Sequence, residues 1–134
     1  MPALQPTAEQ MSAFAKDAHD GPIVMINLLK FREKAAYPAD APEASENLSG
    51  AEAYQRYGDG LAGFREDPNV GLDILYAGPV ARFFIGSGDW DQVLVVRYPS
   101  RKNMLAMLSS EVYQAAHRHR EAGLLHQDLI ETRP

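Results

Sequence analysis

Residues 92–98, QVLVVRY, contain four consecutive aliphatic side chains and stop at Pro99-Ser100. Such a run is a strand with apolar side chains on both faces, so it needs cover on both sides. Proline cannot continue a strand ladder, and serine is a favoured helix N-cap. The helix that Ser100 caps reaches about Leu108, and Ser109 or Ser110 caps a further helical stretch ending near Gly123. A strand, a tight turn and a two-part helix therefore occupy residues 89–121. The rest of the chain has to be built around that unit.

Residues 7–18 read as an extra N-terminal helix. Thr7 and Gln10 form a capping-box pattern, and Met11, Phe14, Ala15 and Ala18 make one apolar stripe. The stop is His19-Asp20-Gly21-Pro22. IVMINLLKF, residues 23–31, is a strand that is apolar except at Asn27 and Lys30. Residues 33–48 lack periodicity and read as a long loop: a lid, a partner contact or, as the plainer expectation, a mobile insertion. Ser49 and Glu52 start the next helix, with Tyr54, Tyr57, Leu61 and Phe64 as its inner stripe. Gly58, Gly60 and Gly63 weaken that helix and suggest close packing on a sheet, or else a bend. The apolar runs 72–77 and 80–85, divided by Gly78-Pro79, predict one long strand with a bulge or two short ones. Residues 124–132 form the last strand.

After the extra helix (7–20), the order is β-α-β-β-α-β, an α+β ferredoxin-like pattern with a four-stranded antiparallel sheet. Helices cover one sheet face and leave an apolar face open. A second copy of the sheet is the simplest cover, so a homodimer is expected, with one domain spanning residues 1–134.

Composition narrows the function. With no cysteine, thiolate nucleophiles, disulfides, Cys-based zinc sites and iron–sulfur clusters are excluded. A net charge of −5 argues against a nucleic-acid partner, which needs a basic face. No apolar run approaches the roughly 20 residues of a membrane span, and the first residues lack the pattern of a signal peptide. A cytoplasmic location and no membrane partner are the expectations. Gly86-Ser87-Gly88 is too short for a dinucleotide fingerprint, and phosphate-loop, G-x-S-x-G and H-E-x-x-H motifs are absent.

Residues 90–108, WDQVLVVRYPSRKNMLAML, and 109–123, SSEVYQAAHRHREAG, resemble the family known as domain of unknown function 1330, in the dimeric α/β-barrel superfamily. The likeness lies in the Trp-Asp pair, the apolar strand, the Pro-Ser turn and the Ser-x-x-Tyr-like helix start with Arg near the end. It is weaker over the first strand and the Ser49 helix. This chain departs from shorter members in its N-terminal helix, in the loop 33–48, and in Val112 standing between Glu111 and Tyr113. The resemblance implies ferredoxin-like monomers paired sheet to sheet. The superfamily includes cofactor-independent monooxygenases, lactone isomerases and haem-degrading enzymes, while this family has no agreed activity.

The candidate site residues follow from helix and strand periodicity. Tyr113, Ala116, His117 and Arg120 share one helix face that should point at the sheet, with Arg118 and His119 turned to solvent. His117 reads as a general acid/base or as a histidine hydrogen-bonded inside the helix–sheet layer. The spacing of His117 and His119 is poor for metal chelation, and no metal or cofactor is expected. Arg97 shares a face with Val93 and Val95, and reads as an anchor for a carboxylate or phenolate, or as a strand-end salt bridge. Asn27 would orient a carbonyl oxygen or satisfy nearby backbone. Tyr54, Tyr57 and Trp90 would line an aromatic pocket, or simply the core. Asp89 and Asp91 are turn residues first, and His126 and Asp128 share a strand face on which they could pair.

The resulting expectation is a small-molecule pocket between sheet and helices. In it Arg97 and Asn27 hold the oxygens of a carbonyl or phenolic compound, Tyr113 and Arg120 complete the wall, and His117 or Tyr57 moves a proton. Two alternatives stand beside it: a dimer that binds a ligand or a protein partner without chemistry, and haem binding through His117.

Overall fold

The computed structural model describes residues 3–134. Eight regular elements appear in chain order: α1 (Ala8–Lys16), β1 (Ile23–Phe31), α2 (Gly50–Gly60), β2 (Asp73–Pro79), β3 (Gln92–Tyr98), α3 (Arg101–Leu108), α4 (Glu111–Gly123) and β4 (Leu124–Thr132), with short 3-10 turns at Pro42–Ser45 and Ala62–Arg65. The sheet order is β2-β3-β1-β4, and every pairing is antiparallel. This is the ferredoxin-like α+β arrangement that the order of elements predicts.

The helix starts form where short-range chemistry dictates. Thr7 and Ser49 each close a full capping box, with Gln10 and Glu52. Ser100 and Ser110 cap α3 and α4 through the backbone N–H of Asn103 and Tyr113. Each cap satisfies donors that a helix start leaves unpaired.

β1 lies inside the sheet and alternates strictly. Ile23, Met25, Asn27 and Leu29 are buried toward the helices, while Val24, Ile26 and Leu28 are half-buried on the other face. Val96 and Tyr98 of β3 join Ile23 and Met25 in the main core with Leu61, Phe64, Met104, Met107, Tyr113 and Ala116. Leu29, Tyr54 and Leu124 form a smaller cluster.

Three sequence expectations are corrected. Residues 80–85 are not a strand. Val80 N–H still reaches Asp91 O at 2.9 Å, but Asp91 N–H then bonds Leu29 O at 2.8 Å, so 89–91 turns toward β1. Residues 81–85 have no strand to pair with, and Phe84 and Ile85 stand 92% and 86% exposed. The bulge lies earlier, where the β2–β3 register shifts between Ile74 and Tyr76.

Gly58 and Gly63 have nothing within 4 Å of an added Cβ, so neither packs closely on the sheet. Gly60 does pack closely, but on Ala116 of α4 rather than on a strand. The tight crossing lies at Gly50 and Gly123, where α2, α4 and the end of β1 meet. Gly50 N–H bonds Arg32 O at 3.0 Å, and Arg32 N–H bonds Gly123 O at 2.8 Å.

Residues 33–48 are docked, in place of a free insertion. Ala35 N–H reaches Leu48 O and Ala36 N–H reaches Ala122 O, both at 2.9 Å. Glu43, buried, takes two hydrogen bonds from Arg118, and Tyr37 Oη lies 2.6 Å from His119 Nδ1. Arg118 and His119 therefore meet this loop rather than bare solvent. The Arg118 hydrogen bonds hold the Glu43 carboxyl down at about 2, below its ordinary 4.5. Burial pushes His119 below its ordinary 6.5. Both groups favour docking when unprotonated, so each contributes above its ordinary value and loses that contribution as pH falls. Docking should weaken first below pH 6.5 as His119 protonates, then further between 4.5 and about 2. Tyr37 ring resonances followed by NMR should show both stages, and Glu43→Gln should remove the second. A ring environment unchanged down to pH 2 would contradict this.

Candidate functional site

The face of α4 expected from periodicity exists. Tyr113, Ala116 and Arg120 are buried, and His117 is partly so. Opposite it, Tyr54 and Tyr57 come from α2, Asn27 and Leu94 from the sheet, and Gln127 from β4. Between these elements and α1 lies a cavity of about 1230 Å³, lined also by Met11, Phe14, Met104 and Met107. Small-molecule sites are concave and mostly apolar, with a few placed polar groups. This one has an apolar floor and a polar end.

The polar end is a connected chain of side chains. Asn27 Nδ2 donates to Leu94 O at 3.1 Å and to Met25 O at 3.4 Å. Gln127 Nε2 donates to Asn27 Oδ1 at 2.7 Å, and an Arg120 terminal nitrogen donates to Gln127 Oε1 at 2.7 Å. The same nitrogen donates to Leu4 O at 2.5 Å. Each buried amide is thereby satisfied, which removes the desolvation cost of placing it there.

The aromatic wall runs Tyr54, Tyr57, Tyr113, His117, with successive ring centroids 5.2, 6.1 and 5.6 Å apart. Tyr57 Oη lies 3.4 Å from Tyr113 Oη. Burial raises the Tyr54 hydroxyl above its ordinary value and the Tyr57 hydroxyl well above it. Both are therefore neutral donors at any physiological pH. Tyr57 can give a hydrogen bond, but burial makes its hydroxyl a weaker acid and leaves no phenolate to act as a base. His117 Nδ1 sits 2.8 Å from a carboxylate oxygen of Glu121, one helical turn on. That contact leaves Nε2 without a protein partner among the described residues. Nε2 is thus left free on the cavity wall, where a ligand atom could meet it.

Of the residues singled out from the sequence, Asn27, Tyr54, Tyr57, Tyr113, His117 and Arg120 meet at this cavity. Arg97 and Trp90 do not. Arg97 stands opposite Val24 and Asp73 in register, on the face away from Val96 and Tyr98. Asn27 stands opposite Leu94, on the helix face. The expected pairing of Arg97 with Asn27 around one ligand is thus undone by the sheet itself. Trp90 packs edge-on against His126, with centroids 4.9 Å apart. His126 has that ring, not Asp128, as its neighbour. Asp89 and Asp91 bond Lys30 Nζ at 3.1 and 3.2 Å, and Asp91 also accepts from Phe31 N–H. They are structural at that corner.

Two contributors were not read from the sequence. Glu121 was legible, since a carboxylate four residues after a helical histidine faces it. Gln127 was not, because its contact with Asn27 spans 100 residues. Among the described residues no group of three or more His, Asp or Glu side chains could hold a metal ion, and no helix is long and apolar enough to cross a membrane.

No protein-family model and no curated protein matches the chain. Solved structures do. The chain is 32% identical to a protein of unknown function from Rhodopseudomonas palustris, covering 100% of this chain and 98% of that one, with a TM-score of 0.86. The methylated form of that protein gives 32% identity, coverage of 100% and 96%, and a TM-score of 0.87. A dimeric protein of unknown function and ferredoxin-like fold from Bacteroides fragilis shares 12% identity over 85% of this chain and 97% of that one, with a TM-score of 0.53, which speaks for the fold alone.

Proposed function

We propose, starting from a chain that belongs to the same family as the Rhodopseudomonas palustris protein of unknown function, that its helix–sheet cavity binds a small carbonyl or phenolic compound. The carrying observation is convergence. Six residues from β1, α2 and α4 meet at one cavity, with a buried polar chain at its end and an aromatic wall beside it. In this reading Tyr57 donates to a ligand oxygen, Asn27, whose amide hydrogens are already committed, accepts at Oδ1 from a ligand hydroxyl, and His117, oriented by Glu121, moves a proton in a monooxygenase- or isomerase-like reaction. Membership of the domain of unknown function 1330 family belongs to the same proposal, on the Trp90-Asp91 and Tyr98-Pro99-Ser100 likeness.

The test is a thermal-shift titration with 4-hydroxyacetophenone, which carries both oxygen types. Saturable stabilisation is expected. His117→Ala should weaken the affinity about two- to tenfold, the worth of one hydrogen bond. No stabilisation, or equal affinity in His117→Ala and Tyr57→Phe, would sink this reading.

A second copy of the chain on the open sheet face is the other part of the proposal. Val24, Ile26 and Leu28 lie there half-buried, and Tyr76 of β2 is exposed on the same face. An uncovered apolar face of this kind marks an interaction surface. Wild-type protein should run as a dimer by light scattering, and Ile26→Glu as a monomer. A wild-type monomer at micromolar concentration would overturn the pairing.

A further inference from the structure

Arg120 is only 9% exposed, yet none of its partners carries a charge. Its acceptors are Leu4 O at 2.5 Å, Gln127 Oε1 at 2.7 Å and, at the long limit, Gln5 Oε1 at 3.5 Å. Other arginines have a carboxylate in reach. Arg118 has Glu43, Arg56 has Glu46, Arg133 has both Asp17 and Glu131, and the buried Arg101, held by the carbonyls of Phe14, Asp17 and His19, has the Asp17 carboxylate at 4.0 Å. No described carboxylate comes within 4.0 Å of Arg120.

The carboxylates that share the cavity wall do not compensate it. Asp17 and Glu131 pair with Arg133, Asp59 accepts from Gln55, and Asp128 lies beyond 4.0 Å of Arg120. A buried cation is costly unless paired, and carbonyl dipoles offset only part of that cost. A guanidinium also carries five N–H donors. Two are committed at short range, both on one terminal nitrogen, and Nε has no acceptor among the described residues. Among the described residues, Arg120 therefore stands in the cavity wall with no carboxylate in reach and with donors beyond the two that are committed.

We propose that the cavity's ligand is an aryl carboxylate, with Arg120 as the anchor of its carboxylate and the tyrosine wall as the seat of its ring. This rests on the cavity being a ligand site, and it adds the ligand's charge. An anion supplies what the present acceptors lack, because a charge-assisted hydrogen bond is about twice as strong as a neutral one. The oxygens of Leu4 and Gln5 belong to a segment joined to β4 through Gln127 N–H and Ala3 O, at 2.7 Å. An arriving carboxylate competes with them for the same guanidinium. The aromatic wall, with ring centroids 5.2 to 6.1 Å apart, suits a flat apolar body.

The experiment is calorimetric titration of the whole chain with benzoate and with benzamide, its neutral counterpart of nearly equal shape. Benzoate should bind roughly ten- to a hundredfold tighter, the difference made by hydrogen bonds to a charged group. Arg120→Gln should erase that preference, bringing benzoate down to the affinity of benzamide in the same variant, and Arg120→Lys should keep part of it. Equal binding of the two compounds to wild-type protein, a comparison that needs no folded variant, overturns the anion and leaves the cavity reading standing. A preference that survives in Arg120→Gln places the anchor elsewhere and overturns it too. Failure of both compounds up to millimolar concentration, with 4-hydroxyacetophenone binding, rejects the aryl carboxylate alone. Failure of all three rejects the cavity as a ligand site.

Discussion

Gly123→Ala is expected to destabilise the protein by about 3 kcal/mol or more and to lower its melting temperature by roughly 10 °C. An added Cβ at Gly123 would lie 2.5 Å from Gly50 O and 2.9 Å from Tyr54 N. Both atoms are backbone of α2, so no rotamer change relieves the contact. The helices would have to separate, and the hydrogen bond from Arg32 N–H to Gly123 O would stretch with them. Gly58→Ala makes the opposite prediction within the same layer. Nothing lies within 4 Å of its added Cβ. Helix propensity then decides, and a gain of about 0.5–1 kcal/mol is expected. Thermal melts of the two variants should move in opposite directions. A Gly123→Ala melt indistinguishable from wild type would show that the α2–α4 crossing is looser than described.

Leu29→Ala should cost about 2–5 kcal/mol, and Phe84→Ala less than about 0.5. Leu29 is 0% exposed and packs in the small cluster with Tyr54 and Leu124, so its truncation leaves a cavity under the aromatic wall. Phe84 is 92% exposed in the connection between β2 and β3. Urea midpoints at unchanged slope would give the two values. Comparable costs would mean that residues 81–85 are buried after all.

That pair also marks the limit of what a linear pattern conveys. IVMINLLKF and VARFFI look alike as apolar runs. What separates them is the direction taken by Asp91, whose backbone and side chain bind β1 and leave residues 81–85 without a partner. The helix starts were legible because their hydrogen bonds span three residues, as between Ser49 and Glu52. Alternation within a strand was legible as well: Val96 and Tyr98 on one face, Arg97 on the other. The register between strands was not. Asn27 opposite Leu94 puts the amide on the helix face, and a slip of one residue would have put it with Arg97.

The same distinction holds for the site. The i, i+3, i+4, i+7 face of Tyr113, Ala116, His117 and Arg120 is a local property and could be read directly. The partners of Arg120 are Leu4 and Gln5, more than 100 residues away in the chain, together with Gln127 across the α4–β4 corner. The sequence reading offered Arg97 as an anion anchor, whereas the arginine that the fold brings to the cavity wall is Arg120. Nor does an Ala-, Pro- and Glu-rich loop announce its docking, which rests on Glu43 meeting Arg118 and Tyr37 meeting His119.

The central claim is that small ligands enter the space between the sheet and the helices. Chemical-shift mapping of the labelled protein during titration with 4-hydroxyacetophenone tests it most directly. Saturable shifts concentrated at Asn27, Tyr57, Tyr113 and His117 are expected. Shifts concentrated instead at Trp90, His126 and Tyr76, or no saturable shifts, would contradict it.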